Sequence, residues 1–476
     1  MSSEGTPNCA IYNFPMRLIA AIAIAAVPAA LLAQSTPNEQ RARAIFKELI
    51  EINTTDTPAG NVTAAAEAAA ARLKAAGFPD ADVQVIGPDP KKRNLVARYR
   101  GNGTKRPLLL LAHLDVVEAR REDWSVDPFT FLEQDGWYYG RGTRDDKGMA
   151  SQFLANLIRL KAEHFTPERD LILALTADEE GGQFNGVDWL VKNHRDLIDA
   201  EMAINEGGGG TSRKGKYLTN EVQASEKVYQ DFTLEATNAG GHSSMPVKDN
   251  AIYHLSQGLA RLAEFDFPIE LNDVTREYFR RSALVEADVK VAADMKLVGQ
   301  ATLDLAAAGR LAAQVPYWNS MMRTTCVATR LAGGHANNAL PQLATANVNC
   351  RILPGVSPEA VKQTLTKVIA DPKVTISLVG DATPSKPSVL RPDVMAVVES
   401  LTKEMFPGVV VVPVMSTGAT DGLFLRNADI PTYGIDGTFS DIDDVREHGK
   451  DERVGIKQYF DGLEFQYRLM KALAGR

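Results

Sequence analysis

Apolar positions along the chain change their spacing in a regular order. Residues 38–50 and 63–76 carry apolar side chains at helical spacing, the second stretch closing on Gly77 as a C-cap. Unbroken apolar runs at 107–117 and 170–176 read as buried strands, with an amphipathic helix over 147–164 between them. Strands alternating with helices predict an α/β fold built on a mostly parallel sheet covered on both faces. Ligands of such sheets gather beyond the carboxyl ends of the strands. From about Lys227 the pattern shifts: 228–237 and 344–352 alternate in strand fashion, 250–265 is helical, and 274–313 is a long, charged helical stretch. Residues 222–385 are therefore expected to form a second, α+β domain inserted into the first. The polar segment 381–388 (DATPSKPS) is its return linker, and 390–406 and 413–437 resume the alternation. The first domain then comprises 35–221 and 386–476.

Composition narrows the function classes. The 476 residues exceed what one core usually organises, so two domains are expected. A net charge of −8, with no basic run interleaved with aromatics, argues against a nucleic-acid partner. At the N-terminus, Arg17 precedes an uncharged apolar run, 18–32, followed by Ala33-Gln34-Ser35. That is the layout of a cleaved signal peptide, with 1–15 as an upstream extension and Met16 the better start. The run is shorter than the ~20 residues of a stable membrane span, so an exported protein, periplasmic or secreted, is expected over the alternative of an uncleaved anchor. Cys9 lies ahead of the run and is no lipidation cysteine. Cys326 and Cys350, outside any CxxC pattern, are expected as two buried free thiols, although export permits a disulfide.

Five polar clusters stand out, four of them at the ends of predicted strands. The first is His113-Leu114-Asp115; on a strand, i and i+2 share a face, so Asp115 is expected to accept the ring N–H of His113. The second is the glycine-flanked loop 140–148 (GRGTRDDKG), where one carboxylate could bridge two cations. The third is Asp178-Glu179-Glu180-Gly181-Gly182, whose adjacent acids repel unless something positive lies among them. Asn205-Glu206-Gly207-Gly208 is the fourth, and His448, in the polar loop EHGKDE, the fifth. Taken singly, each has an ordinary reading: a satisfied core histidine, a helix N-terminus rich in acid, a solvated acidic turn. Together they supply two histidines and several carboxylates, a donor set that suits catalytic zinc with an open position. Two metals bridged by a carboxylate form a known hydrolytic arrangement.

In order and spacing these segments (AHLDVV, GRGTRDDKG, TADEEGG, INEGG) resemble the M20 metallopeptidase family, over essentially the whole chain after residue 40. The resemblance implies two Zn2+ per chain, with other divalent metals such as Co2+ as substitutes. It implies Asp145 as the bridging ligand, His113 and Glu206 on one metal, and Glu180 and His448 on the other. Glu179 would be the general base, Asp115 the partner behind His113, and the Asp145-Asp146 peptide cis. The inserted domain becomes a lid, with His242 of Gly240-Gly241-His242-Ser243-Ser244 reaching the site to hold the oxyanion. Asn338 and Arg351 match segments that bind the substrate's carbonyl and carboxylate, and Thr420, in Gly418-Ala419-Thr420-Asp421, lies on the substrate side. The remaining histidines, His164, His194, His254 and His335, receive no role. Lids of the family commonly dimerise, so a homodimer through the lid is a further implication.

The chain departs from the family at Asn349, where an aspartate often stands two residues before the lid arginine, and in the insert 274–313, which lengthens the lid. Both bear on substrate class, and the length and the insert resemble the carboxypeptidase S and N-acyl amino acid hydrolase branch. The implied activity is hydrolysis of an amide or peptide bond beside a free carboxylate, in a small peptide or N-acyl amino acid. The alternatives are a desuccinylase or deacetylase of a biosynthetic intermediate, which export disfavours, and a non-catalytic binding protein on the same scaffold. The second would usually have lost a ligand or the base, and here all are present.

Overall fold

The strand Leu108–His113 (LLLLAH) is buried along its whole length, and its pleat sends alternate side chains into two different cores. Leu108, Leu110 and Ala112 join the larger apolar cluster, whereas Leu109 and Leu111 join a smaller one on the opposite face. Each leucine so enclosed stabilises the fold by ~2 kcal/mol. It pairs in parallel with Leu171–Thr176 on one side and Met202–Asn205 on the other. These strands occupy the middle of a ten-stranded mixed sheet. The helices Pro37–Glu51, Val62–Ala75, Lys147–Ala162, Pro392–Met405 and Ile456–Ala474 cover one face, while Gly186–Asn193 and Gly422–Asn427 lie on the other. The computed structural model describes residues 35–380 and 382–475. Within it Pro37–Arg476 is one compact unit. The leader expected over 1–34 lies outside the described residues. No described helix is long and apolar enough to cross a membrane.

A separate four-stranded antiparallel sheet holds Thr325–Gly333, Leu343–Ile352, Val228–Thr237 and Val374–Val379, in that order. Its central strands alternate buried and exposed positions without a break, and the helices Ala251–Ala263 and Pro358–Ile369 share a cluster with the buried set. The large sheet runs on through Lys216–Glu226, so the chain crosses to the small one at Lys227, past the expected boundary at 221. Cys326 and Cys350 face each other across the edge and central strands, and form a disulfide rather than the expected free thiols. Direct register partners have Cβ atoms within reach of one bond, a pairing invisible in linear spacing.

The stretch 274–313 is not one long helix. Asn272, Asp288 and Asp304 each accept a hydrogen bond from a helix's first amides, starting Asp273–Ser282, Val289–Val298 and Leu305–Gln314 in turn. Pro316 then opens Pro316–Met322. These caps punctuate the pattern more strongly than helix propensity extends it. The buried faces of all four helices cluster with Val412 and Val414 of the large sheet's Val410–Ser416 strand, not with the small sheet's core.

Candidate active site

His113 is the last residue of its strand and is 2% exposed. Its Nδ1 donates to the main-chain carbonyl of Asp115 at 2.9 Å, and the Asp115 carboxylate is farther away, at 3.7 Å. The expected carboxylate–imidazole bond is thus corrected to a carbonyl–imidazole bond. The strand ends at His113, so the i+2 rule stops applying one residue too soon. The carbonyl still fixes the tautomer, leaving Nε2 facing Asp145 Oδ1 at 2.8 Å. The Asp115 carboxylate accepts the amides of Glu179 and Glu180 at 3.2 and 3.0 Å, and thereby holds the acidic loop beneath the histidine.

Asp145 is shared between two imidazoles: Oδ1 faces His113, and Oδ2 faces His448 Nε2 at 3.0 Å. His448 Nε2 also lies 2.9 Å from Glu180 Oε2. Burial opposes charge on Asp145, but the neighbouring imidazoles of His113 and His448 outweigh it and hold the carboxyl well below its usual range. The hydrogen bonds that His448 donates to Asp145 and Glu180 in turn raise its ring to about 10. Burial first, then neighbouring carboxylates, push Glu179 and Glu206 well above the usual range despite His113 nearby. Ligand atoms of His113, Asp145 and Glu180, and those of His113, Glu179 and Glu206, lie within 4.8 Å of one another. Carboxylates packed this closely around two histidines need further positive charge, which divalent metals supply. The donor set therefore fits a metal centre.

The loop carrying Asp145 owes its shape to a residue assigned no role from sequence. Glu452 is fully buried, and its carboxylate accepts the amides of Gly142, Arg144 and Asp145 at 3.1, 2.8 and 3.3 Å and pairs with Arg141 at 2.6 Å. It lies in the same polar loop as His448, so one segment supplies an imidazole to the cluster and orders the loop of another. Its only sequence signal was an acid near His448, in a loop rich in acids. The Asp145-Asp146 peptide is cis, as the resemblance implied. Asp178 is pinned by Lys92 and by the amide of Phe184 at 3.1 Å, and Asp421 accepts from Asn185 Nδ2 at 2.6 Å.

The other expected site residues lie apart from this cluster. His242 sits on the exposed Gly241–His242 strand, which pairs with Ala339–Leu340 in a separate two-stranded sheet, and its Nδ1 accepts from Ser244 N at 3.1 Å, so that Nε2 carries the proton. The Asn338 carbonyl accepts from Ser243 N at 3.0 Å, bringing these two segments together. Neither residue hydrogen-bonds to the cluster of His113, Asp145, Glu180 and His448 among the described residues. Thr420 is buried, and its hydroxyl donates to Glu226 at 2.8 Å and accepts from Gly422 N at 3.1 Å. It shapes the loop before Asp421 instead of presenting an open hydroxyl. Arg351 stacks on Tyr229 at 4.7 Å and makes no ion pair among the described residues.

A model of peptidase family M20/M25/M40 matches residues 109–472. The human N-fatty-acyl-amino acid synthase/hydrolase PM20D1 is 28% identical over 375 residues, 77% of this chain and 74% of that protein. The probable carboxypeptidase S-like 2 of Dictyostelium discoideum is 29% identical over 395 residues, 79% of this chain and 74% of its own. Among solved structures, the M20 family metallo-carboxypeptidase Sso-CP2 from Sulfolobus solfataricus shares the fold, with a TM-score of 0.69 at 19% identity over 91% of this chain and 99% of its own. The Bacillus subtilis YXEP protein, a dinuclear metal binding peptidase from the M20 family, gives a TM-score of 0.58 at 11% identity over 91% and 97%. With the family match running from the first central strand into the last helix, the chain belongs to peptidase family M20/M25/M40, and is a metallopeptidase or amidohydrolase.

Proposed function

We propose that the protein is an exported two-zinc hydrolase that cleaves the amide bond next to a free carboxylate in small peptides or N-acyl amino acids. The observation that carries this reading is the Asp145 carboxylate, with one oxygen on His113 and the other on His448. His113 and Glu206 would hold one metal and Glu180 and His448 the other, with Asp145 shared. Bound there, the metals would acidify a water and polarise the carbonyl. Glu180 is engaged by His448, whereas the Glu179 carboxylate makes no ion pair among the described residues. Glu179 is thus left to take a proton from the attacking water and pass it to the leaving nitrogen. His242 Nε2–H is a donor suited to the developing oxyanion, and the lid that bears it would bring it to the site.

Substrate class rests on Arg351 and on the relatives. Its guanidinium can grip a carboxylate with two parallel hydrogen bonds, and no carboxylate of the described residues occupies it. Relatives named for carboxypeptidase S and for N-fatty-acyl-amino acid hydrolysis act on or make molecules with that group. The test is kcat/KM on N-acetyl-L-phenylalanine and its amide. The acid should be preferred by about 3 kcal/mol, and Arg351→Ala should erase most of that preference. Equal wild-type rates on the two would refute the carboxylate requirement.

A further inference from the structure

Lys227 stands where the chain passes from the large sheet to the small one, and its side chain is 1% exposed. A buried ammonium normally has a carboxylate beside it. Here, among the described residues, Nζ has only hydroxyl partners, Ser320 Oγ and Thr325 Oγ1, each at 3.2 Å. Thr325 is the direct register partner of Arg351 across the sheet. Arg351 likewise lacks an ion pair among the described residues, resting on the Tyr229 ring. The reason is legible at position 349, which shares the sheet face of Arg351. An aspartate there could pair with the guanidinium, but Asn349 instead donates to Asp231 Oδ1 at 2.9 Å. Asp231 is further occupied by Asn347 at 3.0 Å and by the Tyr229 hydroxyl at 2.7 Å. Two cations thus adjoin each other at the crossing between sheets, and among the described residues neither makes an ion pair with a carboxylate.

We propose that Lys227 is the second cation of the substrate-carboxylate subsite, acting behind Arg351 to set how strongly that subsite prefers an acid over a neutral end group. This rests on Arg351 receiving the carboxylate. Lys227 need not touch the substrate: itself buried, it acts at short range through the field, as a positioning residue for the anion. The groups facing Nζ are Ser320, Thr325 and Arg351, and Tyr229 and Asp231 lie beyond Arg351 on the neighbouring strand. Burial, and then repulsion by Arg351, bring the ammonium down to about 7. An anion arriving at Arg351 favours the protonated amine. The acid should therefore be held more tightly below that pH, and less tightly above it.

The experiment follows the ratio of kcat/KM for N-acetyl-L-phenylalanine to that for its amide, from pH 6 to 9. Titrations at the metal centre affect both substrates and cancel in the ratio, so the readout isolates the carboxylate subsite. In the wild type the ratio should fall about tenfold, centred near neutrality, the size of one lost short-range charge interaction. Lys227→Arg should keep the ratio high and flat across the range, and Lys227→Met should make it low and flat. A large wild-type ratio that does not change with pH overturns the role of Lys227 while leaving that of Arg351 standing. A ratio near unity at every pH overturns the Arg351 reading and this inference with it. The wild-type profile decides both without any variant having to fold.

Discussion

At the scale of single residues, the site assigns different duties to chemically identical neighbours. Glu179 and Glu180 are consecutive, and both amides are held by Asp115, yet only Glu180 reaches His448. Glu179→Gln should keep metal content and fold while lowering turnover ~10²-fold or more, because it preserves size and removes the basic lone pair. Glu180→Gln should lower metal occupancy instead. Elemental analysis paired with kcat on both variants checks the division, and swapped behaviours would reverse it. The expected service of Asp115 to the His113 ring is taken over by its own carbonyl, a switch that only the end point of the strand could reveal.

At the scale of elements, the loop 140–146 that carries Asp145 has no regular structure of its own to hold it. Its amides are satisfied by a carboxylate from a segment some 300 residues later, Glu452 on Gly142, Arg144 and Asp145. Glu452→Gln removes the buried partner of Arg141 and should cost about 3 kcal/mol. Thermal unfolding should show the loss, and metal content should fall with it although every ligand remains. An unchanged metal content at an unchanged midpoint would mean that the loop holds its shape unaided. On the small sheet, the disulfide closes a loop across a sequence separation of 24, which the chain-entropy estimate values at about 3 kcal/mol. Cys326→Ser should lower the unfolding midpoint accordingly. If it does not, the bridge constrains the unfolded chain far less than its loop length implies.

At the scale of the whole molecule, two consequences reach beyond any one element. Purified protein should carry about two divalent metal ions per chain and lose hydrolysis on chelation, recovering it with Zn2+ or Co2+. Full activity in protein shown to be metal-free would end the proposed mechanism. The leader 18–32 should be removed on export, so that N-terminal sequencing of protein from an exporting bacterial host starts near Gln34. A full-length cytoplasmic product would contradict the proposed address.

Much of this was legible in one dimension, where the physics is local. The runs at 107–117 and 170–176 announced buried strands because leucine and isoleucine cannot be left in water along a whole segment, and the strands appear at Leu108–His113 and Leu171–Thr176. Polar clusters directly after such runs marked the carboxyl ends of a parallel sheet, and so placed His113, Glu179, Glu180 and Glu206 together. Tertiary structure decided what depends on pairing between distant segments. Register set Cys326 opposite Cys350 and Thr325 opposite Arg351, and neither relation has a counterpart in spacing. Packing carried the helices from Asp273 to Met322 onto the large sheet, because Val412 and Val414 offered an uncovered apolar face there. Glu452 and Lys227 became informative only once burial was known: an acid or a base gains meaning from its partners, and partners are chosen by the fold.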